Sequence, residues 1–411
     1  MRTGDWIFLG PVFLRYWRKL PSRHLLYLAG RLRNENPHRH RGKLYVNSFF
    51  PPFPSVAFER FLDLVVERKR VPFSTYFAVT DSCPYKCPHC SYGHHKKGSI
   101  KTKEALEVIE QIKSLGTTII GFTGGEPLLR DDIVELVEAV GDETFSIIFT
   151  TGHRLDGELA KRLSMAGLGC LMIGVESDDE SEHDRTRGVK GSFKEALVSI
   201  RASLDAGLYT AISTVATHDK IASGALERLA ELGQRCGVHE LRVLEPAATG
   251  GWQGKGGEVL SAEESRQVAD FHKRWNRRGR GPAVASFSYL ESEEMFGCGA
   301  GFHHLFIDAL GNVCPCDLTP LSFGNVMEEP LSEIWARMGD WFDLPRVGCF
   351  VKEICSQLGS SKDVLELPLA KAESAEMCRA NKRGDKLPRV YQNLFRGRAG
   401  TNRELNREQS E

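Results

Sequence analysis

From residue 73 onward, short apolar runs alternate with longer segments in which apolar residues recur every three or four positions. The short runs predict buried strands, and the longer segments predict amphipathic helices. Glycines at 116, 167, 207 and 237 stand where helices would end. The predicted strands are 74–80, 118–122, 145–150, 170–176, 210–217 and 240–244, and the predicted helices between them are 103–115, 131–140, 156–165, 193–204 and 222–235.

This alternation predicts an α/β fold of parallel β/α units. Six units form a partial (β/α)6 TIM-like barrel, with functional residues at the carboxyl ends of the strands. A chain of 411 residues that is 41% hydrophobic is long enough for two or three domains. The predicted domains are a basic, aromatic helical N-terminal region at 1–72, the barrel core at 73–285, a small β-hairpin and helix extension at 286–390, and a polar tail at 391–411.

The N-terminal region combines 14 Lys and Arg with 5 Asp and Glu, and aromatic residues are interleaved with them. Two interpretations stay open. The region is a helical cap over the barrel, or residues 1–45 form an interfacial segment that contacts a membrane surface peripherally.

Charge and targeting signals limit the remaining classes. The formal net charge is zero, so nothing global favours nucleic-acid binding. No signal peptide and no apolar run of about 18 residues is present, which predicts a cytoplasmic protein. In that reducing compartment, closely spaced cysteines indicate metal ligands rather than disulfides.

Cys83, Cys87 and Cys90 have a C-x3-C-x2-C spacing directly after the first predicted strand. Thiolates at such spacing can hold an iron–sulfur cluster or a structural zinc, or can form a redox loop. Three thiols are one short of a closed tetrahedral site. Either a fourth ligand comes from elsewhere, or one metal position stays open for chemistry.

The second predicted strand runs directly into Gly124-Gly125-Glu126-Pro127. The glycines permit close backbone approach to a ligand, and the proline fixes the exit from the loop. Together with the cysteine triplet, this motif resembles the radical S-adenosylmethionine (SAM) superfamily. The resemblance implies a 4Fe-4S cluster on Cys83, Cys87 and Cys90, whose open iron binds SAM, with the glycine motif at the methionine amino group.

Three further residues follow from this resemblance. Glu176, at the fourth strand end, would bind the ribose hydroxyls of SAM, and its alternative is an ion pair with an arginine. Arg187, in the run 183–188, would meet the SAM carboxylate, and its alternative is a solvated loop. Ser213, in the fifth strand, would face the cofactor or be a satisfied hydroxyl of the sheet. The glycine-rich stretch 250–257 is expected to be a mobile loop without regular structure.

A second set of cysteines follows the barrel. A C-x12-G-x4-C arrangement runs from Cys298 to Cys316, and its glycine, Gly311, lies in a predicted hairpin. This arrangement resembles the SPASM/Twitch extensions, which bind auxiliary iron–sulfur clusters. The dense cysteine run that closes a full SPASM pattern is absent. We therefore expect one auxiliary 4Fe-4S cluster on Cys298, Cys316, Cys378 and one of Cys349 or Cys355, with a zinc or purely structural role as the alternative.

The resemblance implies an enzyme that cleaves SAM reductively and abstracts hydrogen from a substrate. The expected substrate is a peptide or protein side chain, with a lipid or other hydrophobic molecule at a membrane as the first alternative. A non-enzymatic cysteine-rich metal or redox scaffold is the second. The expected electron donor is a protein such as flavodoxin or ferredoxin.

Overall fold

A computed structural model describes residues 10, 12, 14–360 and 363–395. Its centre is an open nine-stranded sheet. Each of the six predicted strands is confirmed: β3 (Ser74–Thr80), β4 (Ile119–Gly124), β5 (Phe145–Thr150), β6 (Cys170–Gly174), β7 (Thr210–Val215) and β8 (Glu240–Leu244), numbered after the small hairpin of β1 (His38–His40) and β2 (Lys43–Tyr45). These six pair in parallel in chain order.

The sheet is larger than the predicted six strands. β9 (Ala283–Ser286) adds in parallel to β8, and β10 (His304–Ile307) adds in parallel to β3 on the opposite side. β11 (Val313–Cys314) then pairs with β10 in the antiparallel sense and forms the predicted hairpin. The C-terminal extension is therefore joined to the barrel through the strand that precedes Cys83.

Helices cover one face of this sheet, as the predicted apolar periodicity requires. Outward residues such as Ile120, Ile148 and Leu171 share a core with helical residues such as Ile109 and Leu163. The helices are α1 (Ser22–Leu32), α2 (Val56–Glu67), α3 (Thr102–Ser114), α4 (Ile133–Val140), α5 (Gly157–Met165), α6 (Glu180–Arg187), α7 (Ser192–Asp205), α8 (His218–Ala222), α9 (Ala225–Cys236), α10 (Ala262–Asn276), α11 (Phe287–Leu290), α12 (Leu331–Met338), α13 (Phe350–Ile354), α14 (Lys371–Ala380) and α15 (Arg389–Phe395). A last short hairpin pairs β12 (Gly359–Ser360) with β13 (Asp363–Val364).

The inner face of the sheet is filled from the N-terminal region. Tyr45 stacks on Tyr209 with ring centroids 4.1 Å apart, and both pack with Ile147 and Met172. The Ser48 backbone N–H donates to the buried Glu240 carboxylate at 2.7 Å. The stretch around β2 therefore plugs the amino-terminal end of the partial barrel.

Residues 16–25 pack against the other end of the chain. Tyr16, Leu20 and Leu25 are buried together with Tyr391 and Leu394 of α15. This part of the N-terminal region thus packs against the C-terminal extension, while Leu14, Trp17 and Leu26 stay exposed. Among the described residues, no helix combines the length and the apolar character that crossing a bilayer requires.

Three local expectations differ from the structure. The predicted polar tail begins too early, because 391–395 belong to α15 with Tyr391 and Leu394 buried; residues 396–411 lie outside the described part. The stretch 250–257 is not free of regular structure, since Gly250–Trp252 and Gly256–Glu258 are 3-10 turns. The run 183–188 is no solvated loop, because it belongs mostly to α6, where His183 and Arg187 are buried.

Candidate active site

The three cysteines of the triplet lie on a tight loop directly after β3. The Cys90 backbone N–H donates to the Cys87 carbonyl at 3.3 Å, and the Gly93 N–H donates to the Cys90 carbonyl at 3.0 Å. Burial raises the pKa of the Cys90 thiol, and the neighbouring Cys87 adds to the rise. Such a thiol keeps its proton near neutral pH unless a metal ion replaces that proton.

The Gly-Gly-Glu-Pro motif holds this loop from the side of β4. The Gly125 N–H donates to the Thr80 carbonyl at 2.7 Å, and the Glu126 N–H donates to the Ser82 carbonyl at 2.8 Å. A Cβ at Gly125 would lie 2.2 Å from the Ser82 oxygen, so this approach requires glycine. Pro127 then opens a 3-10 turn that leads away from the site.

The Glu126 side chain is buried and accepts four hydrogen bonds. Its Oε1 accepts hydrogen bonds from Thr150 Oγ1 at 2.6 Å and from the Leu128 N–H at 3.1 Å. Its Oε2 accepts from the Thr151 N–H at 2.7 Å and from Thr151 Oγ1 at 2.6 Å. These bonds tie the motif to the carboxyl end of β5.

Glu176 lies at the centre of a buried cluster formed with Arg187, Lys220 and His89. Its Oε1 is 3.1 Å from Arg187 Nη2 and 3.1 Å from His89 Nε2, and its Oε2 is 2.7 Å from Lys220 Nζ. Burial alone would raise the pKa of Glu176, but Lys220, His89 and Arg187 outweigh burial and hold that pKa well below its usual value. The ion pair with arginine is thus present, and ribose binding by Glu176 stays a prediction.

Arg187 connects this cluster to the cysteine loop. Its Nη1 donates to Cys87 Sγ at 3.5 Å, and its backbone carbonyl accepts from the Lys86 N–H at 3.1 Å. The buried Arg187 Nε has no hydrogen-bond partner among the described residues. A buried donor without an acceptor suits an anionic ligand such as the carboxylate of SAM.

Ser213 lies beside Gly174 on the neighbouring strand and is half-buried; its contact with the cofactor stays a prediction.

The spread of the sulfur atoms distinguishes between the metal alternatives. In the part of the chain that the structure describes, one group of at least three His, Cys, Asp or Glu ligand atoms lies within a mutual 4.8 Å, and it is His304, Cys316 and Asp317. The sulfurs of the triplet are therefore more widely spread. Zinc–sulfur bonds of about 2.3 Å would place tetrahedral ligands only about 3.8 Å apart. The triplet fits a multi-iron cluster better than a single zinc.

The glycine-rich turn at Gly250–Trp252 is a part of the site that the sequence interpretation missed. The Gly251 N–H donates to the Cys90 carbonyl at 2.9 Å. A Cβ at Gly251 would lie 2.4 Å from the Pro88 oxygen, and one at Gly250 would lie 2.3 Å from the Cys90 oxygen. The glycines were the available signal, because they permit backbone packing against another loop.

Cys298, Cys316 and Cys349 form the centre of the second candidate site. A hydrogen bond between Cys349 and Cys298 lowers the pKa of Cys298 and raises that of Cys349. Burial, followed by the charges of Asp317 and Cys298, raises the pKa of Cys316 well above its usual value. The buried Arg346, whose backbone pairs with Cys298, has an Nε without a hydrogen-bond partner among the described residues. A buried guanidinium donor without an acceptor beside Cys298 suits an anionic cluster.

The other cysteines of the extension have different surroundings. Cys355 Sγ donates to the Lys352 carbonyl at 3.4 Å, and Cys378 is buried on α14. Cys314 packs among Ala78, Phe306 and Ala309 in an apolar cluster. Between Cys349 and Cys355, the structure favours Cys349 as the ligand. The assignment of Cys378 as the fourth ligand stays a prediction.

Comparisons with known proteins agree with this geometry. Residues 77–222 match the family model described as the radical SAM superfamily, and residues 298–343 match the model described as the SPASM iron–sulfur cluster-binding domain. The first match contains the triplet, the glycine motif, Glu176, Arg187 and Ser213. The second contains Cys298 and Cys316.

The chain is also similar to named relatives and to a solved structure. The chain is 29% identical over 285 residues to an AdoMet-dependent heme synthase of Nitratidesulfovibrio vulgaris, which covers 63% of this chain and 77% of the relative. It is 26% identical over 305 residues to a PqqA peptide cyclase of Granulibacter bethesdensis, covering 69% and 81%. Streptococcus suis SuiB bound to the precursor peptide SuiA shares the fold with a TM-score of 0.58 and 16% identity, covering 75% of this chain and 78% of that one.

Proposed function

This chain is a radical SAM enzyme with an SPASM domain, and on that premise we propose that it abstracts hydrogen from a side chain of a peptide or protein. The support is the pair of peptide-handling relatives: a PqqA peptide cyclase in sequence and peptide-bound SuiB in fold. The non-enzymatic scaffold alternative is abandoned, because the relatives are enzymes.

The residues of the barrel bind and orient the cofactors. A 4Fe-4S cluster and SAM supply, when bound, a carbon radical that removes hydrogen from an unactivated carbon. Cys83, Cys87 and Cys90 would hold the cluster, and the buried Arg187 donor would receive the SAM carboxylate. The hydrogen bonds of Glu126 fix the glycine motif beside them and reduce its freedom to move.

The extension would receive the electron that remains on the substrate after hydrogen removal. In this proposal the extension holds a single auxiliary cluster, as predicted. Its thiol ligands include Cys298, Cys316 and Cys349. β10 pairs directly with β3, so this second site belongs to the same sheet as the first. We propose a cytoplasmic reaction in which flavodoxin or ferredoxin delivers the first electron.

The division of labour between the two sites can be tested with two alanine variants. After anaerobic reconstitution and dithionite reduction, the wild type should cleave SAM to 5′-deoxyadenosine and methionine. Cys87→Ala should abolish that cleavage, whereas Cys316→Ala should retain cleavage without substrate but form no product. Equal loss of cleavage in both variants would contradict the proposal.

The substrate class can be tested by deuterium transfer. Fractions of a deuterium-labelled lysate, separated into peptides, small molecules and lipids, are incubated with the reconstituted enzyme. Deuterium in 5′-deoxyadenosine should come from the peptide fraction and disappear after protease treatment. Transfer only from a protease-resistant fraction would overturn the peptide proposal while leaving the radical chemistry intact.

A tetrapyrrole is the second candidate substrate. Three of the relatives are named AdoMet-dependent heme synthases, with 25% to 29% identity to this chain. In the same assay this candidate requires transfer from the small-molecule fraction. Adding a haem precursor to the unlabelled enzyme should then increase 5′-deoxyadenosine formation and consume the precursor.

The lipid alternative rests on the exposed apolar residues of the N-terminal region. Leu14 is 81% exposed, Trp17 is 50% exposed and Leu26 is 63% exposed, and arginines lie close to them in sequence. Peripheral membrane contact would use this surface. Flotation with anionic liposomes, compared between the wild type and a Leu14→Ser, Trp17→Ser double variant, tests it; no flotation of the wild type removes the lipid argument.

A further inference from the structure

The guanidinium of Arg187 contacts a sulfur that the proposed function assigns to iron. Arg187 is 9% exposed at the carboxyl end of α6. Its Nη1 lies 3.5 Å from Cys87 Sγ, and its Nη2 lies 3.1 Å from Glu176 Oε1. The carboxylate therefore fixes one side of the guanidinium while the other side faces the sulfur.

The backbone around this contact leaves space for the arginine. An ideal Cβ at Gly174, the last residue of β6, would lie only 1.9 Å from Arg187 Nη2. Any side chain at position 174 would thus displace the guanidinium. The hydrogen bond from the Lys86 N–H to the Arg187 carbonyl ties the same helix end to the cysteine loop.

The charges of Arg187, Lys220 and Glu176 together sum to a positive charge. Lys220 Nζ donates to Glu176 Oε2 at 2.7 Å, to Thr214 Oγ1 at 2.7 Å and to the Val215 carbonyl at 2.9 Å, which uses its three hydrogens. Arg187 and Lys220 therefore share one carboxylate, Glu176. The remaining positive charge lies in a buried environment, where screening by water is weak.

Hydrogen bonds to cluster sulfurs and nearby charge set the reduction potential of an iron–sulfur cluster. Reduction adds one negative charge, so a cationic N–H donor at a ligating sulfur stabilises the reduced cluster more than the oxidised one. We propose that Arg187, through its hydrogen bond to Cys87 Sγ, raises the reduction potential of the SAM-binding cluster. Arg187 is then a positioning residue for electron transfer, apart from any contact with SAM. This inference rests on the proposed cluster at Cys83, Cys87 and Cys90.

The test compares three full-length variants, each reconstituted anaerobically. Arg187→Gln removes the charge and keeps a polar, though shorter, side chain. Gly174→Ala keeps every charged residue but displaces the guanidinium. Arg185→Gln is the matched control, because Arg185 is exposed on the same helix.

The measurement is the midpoint potential of the cluster by redox titration followed by electron paramagnetic resonance, without SAM. The relevant signal is the one missing from Cys87→Ala. Arg187→Gln and Gly174→Ala should both shift to more negative potential, and Arg185→Gln should match the wild type. An unchanged potential in Arg187→Gln overturns the inference. Loss of the cluster from both test variants also overturns it, because the arginine would then hold the loop together rather than set the potential.

The proposed function has its own readout in the same preparation. Failure of the wild type to cleave SAM, or to change its cluster signal on addition of SAM, contradicts the proposed function. A wild type that cleaves SAM while Arg187→Gln keeps its potential contradicts only the inference.

Discussion

Both carboxylate oxygens of Glu126 accept hydrogen bonds from other groups of the protein. Replacing Glu126 with alanine would leave the donors of Thr150, Thr151 and Leu128 without their acceptor in a buried site. Each such unsatisfied donor costs about 1–3 kcal/mol, so Glu126→Ala should lower the free energy of unfolding by at least about 3 kcal/mol. Urea unfolding followed by tryptophan fluorescence measures this loss.

The matched control is Glu138→Ala, because Glu138 is exposed on α4. Its free energy of unfolding should stay within about 0.5 kcal/mol of the wild type. Equal effects of the two alanine variants would show that the hydrogen bonds of Glu126 add nothing to stability.

Cys349 and Cys355 give a second comparison at the scale of single residues. Cys349 contacts Cys298, whereas Cys355 donates to a backbone carbonyl of the helix that precedes it. Cys349→Ala should therefore lose iron from the auxiliary site after reconstitution, and Cys355→Ala should keep the iron content of the wild type. Iron and sulfide analysis decides the matter, and the reverse order would assign the ligand to Cys355.

At the scale of elements, the turn Gly250–Trp252 presses its backbone against the cysteine loop. A Cβ at Gly251 would meet the Pro88 oxygen at 2.4 Å, while one at Gly257 meets nothing within 4 Å. Gly251→Ala should push the cysteine loop out of place, so iron retention at the triplet and SAM cleavage should fall at least several-fold. Gly257→Ala, in the same glycine-rich stretch, should leave both unchanged. Full activity of Gly251→Ala would show that the two loops can separate without consequence.

The elements also show what the sequence could and could not predict. The strands from β3 to β8 and their helices follow from local apolar periodicity, and the structure contains them all. The parallel addition of β10 to β3 depends on a pairing between residues more than 200 positions apart, which no local pattern records. Helix α6 was missed because Glu180–Arg187 has no apolar stripe; Arg187 is buried through its ion pair with Glu176 instead.

The candidate site, too, has parts that the sequence predicts and parts that it does not. The cysteine triplet and the glycine motif were predictable, because short spacing encodes their geometry directly. The meeting of His89, Arg187 and Lys220 at Glu176 was not, because these residues come from a loop and two helices that only the folded barrel brings together. The contact of Cys349 with Cys298 similarly depends on how the extension folds.

At the scale of the whole molecule, one sheet carries both candidate sites. The cysteine triplet directly follows the end of β3. The same strand pairs along its length with β10, which is the first strand of the hairpin before Cys316. The stability of this single sheet should therefore limit both sites together. A condition that weakens the whole fold, such as acid, should affect them in parallel.

Buried histidines contribute to the response of that stability to acid. Burial, followed by the charge of Arg187, lowers the pKa of His183 to about 4. The unfolded histidine binds a proton near pH 6.5, so its contribution to stability is complete above that pH and is lost as the pH falls from 6.5 toward 4. At pH 5 the loss is about 2 kcal/mol relative to pH 7.

A variant must isolate this effect, because burial raises the pKa of carboxyls such as Glu126 and so acts in the opposite direction. His183→Gln keeps an acceptor for the Glu176 N–H, which donates to His183 Nδ1 at 3.2 Å, but removes the titration. Its free energy of unfolding should fall between pH 7 and pH 5 by about 2 kcal/mol less than that of the wild type. The difference in slope comes from proton binding by the unfolded histidine and not from a cofactor, so it should be equal in protein without iron. Identical slopes for His183→Gln and the wild type would mean that His183 binds a proton as readily in the folded chain as in the unfolded one.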